Sequence, residues 1–112
     1  MNSVVYNRQA ALERAGGDLN RARRFLDLLL ESFTQAERSL SQALDRNDMN
    51  ELLGNAHKLA GAASYCGAEA VREAASRLET RAREGATESN AALTRDLLDQ
   101  IVRFRQATAN ER

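Results

Sequence analysis

From Asp18 to Arg46 one stripe runs without interruption: Ala22, Leu26, Leu29, Phe33, Ala36, Leu40 and Ala43 recur three or four residues apart, with no proline or glycine between them. At 3.6 residues per turn these positions stay on one face of a helix for about six turns. A helix with one apolar face has to lay that face against other helices, because packing rather than propensity supplies most of its stability. The 112-residue chain contains no proline at all. It is rich in alanine, leucine, arginine and glutamate, so an all-α fold is expected.

Glycine then supplies the punctuation. Gly16-Gly17 closes a short first helix that starts near Asn7, and Asp18 offers an N-cap for the long second helix, which runs to about Arg46. Asp48 and Glu51 have capping-box spacing and open a third helix to Tyr65 or Cys66, stopped by Gly67. A fourth begins near Ala68, with Val71, Ala74, Ala75, Leu78 and Ala82 inward, Glu73-Arg77 and Glu79-Arg83 as outward i,i+4 pairs, and Gly85 at its end. Thr87 or Ser89 caps a fifth helix striped by Leu93, Leu97, Ile101 and Phe104, and the terminal TANER is expected to fray. The expectation is a single domain over residues 1–112, with an ordered core over about 4–107. Its architecture is an antiparallel four-helix bundle with the short N-terminal helix laid across it.

Charge and cysteine content narrow the function. Sixteen basic residues balance sixteen acidic ones, which leaves no basic excess to bind nucleic acid or anionic lipid. One cysteine excludes an internal disulfide, and the N-terminus carries no apolar signal segment. The densest apolar run, FLDLLL, falls far short of the roughly 20 residues that cross a bilayer. The domain is expected to be cytoplasmic and monomeric, without direct membrane contact; any membrane part of a larger protein would lie elsewhere.

The only histidine, His57, stands in NAHKLAGAASYCG. On a wheel at about 100° per residue, Leu52, Ala56, Leu59, Ala63 and Cys66 form the buried side of the third helix, and His57 points away from it. Its own face consists of Asn50, Leu53, Gly54, Ala60, Gly61 and Ser64, none of them charged. Glycine is worse than alanine in a helix interior by roughly 1 kcal/mol, so Gly61, one turn after the ring, asks for a reason. Leaving out that side chain opens the imidazole to an incoming group. The plain alternatives are an ordinary surface histidine and close helix packing at the glycines. Metal binding needs three or four ligands, and here one His and one Cys lie on opposite faces. A Ser-His-Asp arrangement fails because no acid shares the face and Ser64 is two turns away. An imidazole near pKa 6.5 is still a nucleophile at neutral pH, and phosphoryl transfer needs access and positive charge more than a protein base. Lys58, about 100° round the helix, is the candidate cation. The uncharged patch with Leu53 at its rim suits a docking protein.

His57-Lys58-Leu59, followed by Gly61 and Gly67, resembles the HKLxGxxxxxG signature of histidine-containing phosphotransfer (HPt) domains, and the likeness extends from about Val4 to about Ala107. GAASYCG is most like the module that closes hybrid sensor kinases. The resemblance implies a phosphorelay intermediate in two-component signalling. His57 would take a phosphoryl group from the aspartate of one response-regulator receiver domain and pass it to another, with magnesium required on the receiver side. It further implies a carrier without its own ATP site or cofactor, Nε2 as the attacking atom, and Nδ1 held by a hydrogen bond or water. Many members carry a lysine three residues after the histidine, where this chain has Ala60; Lys58, Arg72 of the fourth helix or the receiver would then neutralise the phosphate. The rival readings are a helical adaptor that docks receivers without being phosphorylated, and a histidine kinase dimerisation domain. Lys58 beside the histidine, the lack of proline and the chain length speak against the second.

Overall fold

The computed structural model describes residues 4–85 and 89–111. Five helices account for nearly all of them: α1 (Arg8–Arg14), α2 (Leu19–Asp45), α3 (Met49–Tyr65), α4 (Glu69–Arg83) and α5 (Asn90–Ala107). No strand occurs among the described residues. Helices α2 to α5 close into a four-helix bundle, in which each packs on its sequence neighbour and α2 meets α5; α1 lies against α2 and α3.

The helix starts follow side-chain capping chemistry. Asn7 accepts from the Ala10 amide, Asp18 from Arg21 N–H at 3.1 Å and Asp48 from Glu51 N–H at 3.1 Å, each satisfying a backbone donor that the first turn leaves without a partner. The Glu51 carboxylate accepts instead from the Asn55 side-chain amide at 3.3 Å. Ser89 occupies the N-cap position of α5 without a side-chain capping bond; Thr87 lies outside the described residues.

The α2 stripe is buried from Leu26 to Ala43, with Ala22 half-covered at its end. Phe33 and Phe104 meet edge to face, ring centroids 5.5 Å apart, and Tyr6 adds a second such contact with Phe104 at 5.6 Å, a geometry favoured by the ring quadrupoles. On α4, Val71, Ala74, Ala75 and Leu78 are buried, but Ala82 is only half-buried near the helix end. Leu97, Ile101 and Phe104 of the expected α5 stripe are buried, and the inward line departs from it only at its start. Asn90, Thr94, Leu97, Ile101, Phe104 and Thr108 are buried, and Leu93 is half-exposed at the edge of the core. The covered positions follow an i, i+4, i+7 series that starts from two polar residues, which hydrophobicity alone does not select.

Past α5, Thr108 and Glu111 contact the rest of the chain. Thr108 is fully buried, its hydroxyl donating to the Phe104 carbonyl at 2.8 Å. Arg8 forms a two-point ion pair with Glu111, which includes an Nε to Oε1 bond of 2.9 Å. The N-terminal strap is fixed to the turn between α3 and α4 and to the start of α4. Asn7 N–H donates to the Gly67 carbonyl at 2.7 Å and Ala70 N–H to the Val4 carbonyl at 3.0 Å. Gly67 itself sits at φ +68, and a Cβ there would run into the Asn7 carbonyl oxygen, so this turn needs glycine for both its backbone conformation and its closeness to the strap. Among the described residues no helix is long and apolar enough to cross a membrane.

Candidate functional site

Helix α3 presents two unlike sides. Leu52, Ala56, Leu59 and Ala63 are buried in the bundle, whereas the His57 side chain is 70% exposed. A Cβ added at Gly54 or at Gly61 would meet nothing within 4 Å. Neither glycine lets another helix approach, which removes the packing explanation for both and leaves the space beside the ring open. Asn50 is exposed with the glycines, while Leu53, Ala60 and Ser64 are half-buried at the margins of the face. The Ser64 hydroxyl donates to the Gly61 carbonyl at 2.8 Å. That places it in its own helix, not against the ring. The Lys58 side chain is exposed and makes no hydrogen bond or ion pair with another described residue.

One acid does reach the imidazole, against the expectation of a face without one. His57 Nδ1 lies 2.8 Å from Glu79 Oε2. The carboxylate comes from α4, and its side chain is only 15% exposed. Arg83, one turn further along α4, donates to the same Oε2 at 2.9 Å. The Glu79-Arg83 pair therefore exists, but its acid is turned toward α3 and not outward, in contrast to Glu73-Arg77, which stays on the surface at 2.9 Å. A helix-wheel reading of α3 alone cannot contain Glu79, since the residue belongs to the neighbouring helix. The only signal in the sequence was an i,i+4 pair that looked like ordinary surface charge. Arg83 is accordingly the α4 arginine joined to the site; Arg72 lies two turns before Glu79, roughly 10 Å along the helix.

The other flank of α3 is apolar. Phe25, Leu28, Leu29 and Ser32 of α2 form a groove with Ala62, Tyr65 and Cys66. Leu28 and Tyr65 are among the most exposed large apolar side chains, at 57% and 59%. The Arg14 guanidinium sits over the Tyr65 ring, 5.8 Å from its centroid, and holds the ring by cation–π attraction. On the wheel Tyr65 and Ala62 lie about 80° and 140° from His57, on the side of Lys58, so the groove opens two turns along from the ring. Leu28 and Phe25 were not singled out from sequence because each stands beside the α2 stripe and reads as spill-over from it. Cys66, at the base of the groove, is buried, and burial pushes its thiol up to about 11; it stays protonated at neutral pH and is a poor nucleophile. Among the described residues no three His, Cys, Asp or Glu side chains converge as a metal site requires.

The chain matches the family model described as "Hpt domain" over residues 24–107. It is 33% identical over 98 residues to a protein named "Sensor histidine kinase GacS" from Pseudomonas protegens, covering 88% of this chain and 10% of that protein. It is 31% identical over 101 residues to "Sensor protein GacS" from Pseudomonas syringae pv. syringae, covering 90% of this chain and 11% of that protein. The chain thus spans about a tenth of the length of these curated relatives. Among solved structures, the HPT domain of an Hpt sensor hybrid histidine kinase from Shewanella superposes with a TM-score of 0.85 at 26% identity, over 95% of this chain and 92% of that one.

Proposed function

The chain belongs to the Hpt domain family, and from that membership we propose that it is a phosphorelay intermediate in two-component signalling, with His57 as its phosphoryl acceptor. It takes the group from the phosphoaspartate of one receiver domain and hands it to another, as a stoichiometric carrier that acts in the cytoplasm. The observation that carries this reading is the exposed sole histidine, beside two glycines whose missing side chains leave its approach open. In-line attack on a phosphoryl group needs that clearance, since the incoming phosphorus must reach the ring nitrogen along the axis of the bond being broken. In this reading Gly61 provides steric access, the exposed Lys58 is the candidate cation for the phosphoryl oxygens, and the magnesium that holds the phosphoaspartate belongs to the receiver.

The receiver docks over the His57 face, with Asn50, Leu53, Gly54, Ala60 and Ser64 around the ring and the apolar groove at Leu28 and Tyr65 as its anchor. The groove leaves Leu28 and Tyr65 exposed two turns along from the ring, and burying exposed side chains of this size contributes about 1.5–3 kcal/mol each. Incubation with a phosphorylated receiver tests the whole reading. Label should appear on the chain in an acid-labile, base-stable form and be absent from His57→Gln, which should still bind the receiver and melt like the parent. An adaptor that only docks receivers would take no label in either form.

A further inference from the structure

Resting on the reading of the α2–α3 groove as the receiver's anchor, we propose that Arg14, Arg21, Arg24 and Lys58 form a cationic collar around that groove, which selects receivers whose apolar docking ridge is bordered by carboxylates. The chain as a whole is neutral, with sixteen basic and sixteen acidic residues, so the collar is a matter of placement. Arg14 lies over the exposed Tyr65 ring, 5.8 Å from its centroid. Arg21 Nη1 comes within 3.7 Å of the point where a Cβ on Gly16 would stand, which puts its guanidinium at the turn that follows Arg14. On α2, Arg21 stands one turn before Phe25, and Arg24 one turn before Leu28. Lys58 precedes Tyr65 by seven residues and so shares its side of α3, at the end beside His57.

All four residues are exposed, and none forms an ion pair with another described residue. Acids on this side are already engaged: the Asp18 carboxylate accepts from the Arg21 amide at 3.1 Å as the cap of α2, and Glu13 accepts from the Gln9 side chain at 3.2 Å. Asp27 and Glu31, the acids of α2 closest in sequence to Leu28, line a hollow on the α5 side instead, with Thr34 and Arg105. Positive charge is therefore left without a partner where apolar area is also left in water. An apolar centre inside a charged rim is the build of a protein interface. Charges at such a rim act mainly on encounter: they draw in a complementary surface, raise its association rate and repel a surface of like charge. A receiver with lysines or arginines at the same border is refused by that repulsion, although its apolar ridge would fit. Since the collar stays in water, salt screens it, while the apolar contact inside it is not screened.

Two helical peptides serve as probes, each with leucines along one face, bordered by glutamates in one peptide and by lysines in the other. At about 50 mM salt the glutamate peptide should bind at least about tenfold more tightly than the lysine peptide, and it should lose about tenfold on going to about 300 mM salt. Amide shifts on binding should centre on Phe25, Leu28 and Tyr65. The double variant Arg21→Glu/Arg24→Glu should reverse the preference between the peptides. Arg95→Glu/Arg103→Glu makes the same change in net charge on exposed positions of α5, a helix that packs on α2 and α4 and not on α3, and should leave the preference as it is. With a phosphoreceiver that labels the parent, the α2 variant should slow labelling about tenfold at sub-saturating receiver and leave the rate at saturation unchanged. The proposal is overturned if neither peptide binds, if both bind alike, if the α2 variant keeps the parent's preference, or if its labelling matches the parent's at every receiver concentration. Should the α2 variant fail to melt like the parent, the peptide pair and its salt dependence on the parent decide. A parent that discriminates the peptides but is labelled by no receiver would overturn the carrier reading and retain the collar as a docking surface.

Discussion

The two flanks of His57 are built from opposite materials. Toward α4 the ring meets a covered carboxylate and its arginine, whereas toward α2 the surface is open and apolar, with Leu28 and Tyr65 standing out of it. The α4 flank is finished without a partner: its hydrogen bonds are made within the chain. The α2 flank leaves apolar area in water, a state that a second protein can improve. Under the proposed function, orientation of the ring and recognition of the partner are separate properties carried by different helices, and substitutions should affect one without the other.

Leu59→Arg should produce the largest effect, because Leu59 lies beneath both flanks at 2% exposure and an unpaired buried charge costs several kcal/mol. Circular dichroism should show loss of the cooperative melt and of both properties together; a parent-like melt would mean that the flanks do not share this core. Leu28→Arg comes next and addresses the α2 flank alone. Receiver affinity should fall by about one to two decades in titration calorimetry, with an unchanged melting temperature and an unchanged ring-nitrogen spectrum. Normal binding would place the anchor elsewhere.

Gly61→Gln tests the ground between the flanks. Transfer should slow about tenfold through crowding at i+4, while the helix gains about half a kcal/mol of stability from the better propensity of glutamine. Unchanged transfer would show that open space at this position is incidental. Leu53→Arg should have the smallest effect, under about 1 kcal/mol on receiver binding, since Leu53 is half-buried at the margin of the face and its loss is shared between bundle and partner. An effect as large as that of Leu28→Arg would reverse the assignment of the apolar flank.

The helices and the exposed histidine were legible in the chain because both depend on short-range order. Caps at Asp18 and Asp48, a stop at Gly67 and a 3.6-residue stripe are satisfied within a few residues of themselves. The exposure of His57 follows from the same periodicity, and so does the open space at Gly54 and Gly61. Periodicity does not reach the start of α5, where Asn90 and Thr94 take covered positions and Leu93 stays at the edge. Which face of a helix turns inward is settled by all its neighbours at once. The held C-terminal end depends likewise on Arg8 and Glu111, 103 positions apart in sequence.

By itself the sequence determined the number of helices among the described residues, most of their ends, and which side of α3 carries the exposed ring, since each of these is a local balance of backbone hydrogen bonds and apolar spacing. Only the tertiary structure decided what surrounds that ring. Glu79 is 22 residues from His57, and its distance from the imidazole depends on how α4 lies along α3. Leu28 and Tyr65 share one groove because α2 and α3 pack side by side there. Contacts between side chains on different helices are set by the packing of whole faces, a property that no single helix contains.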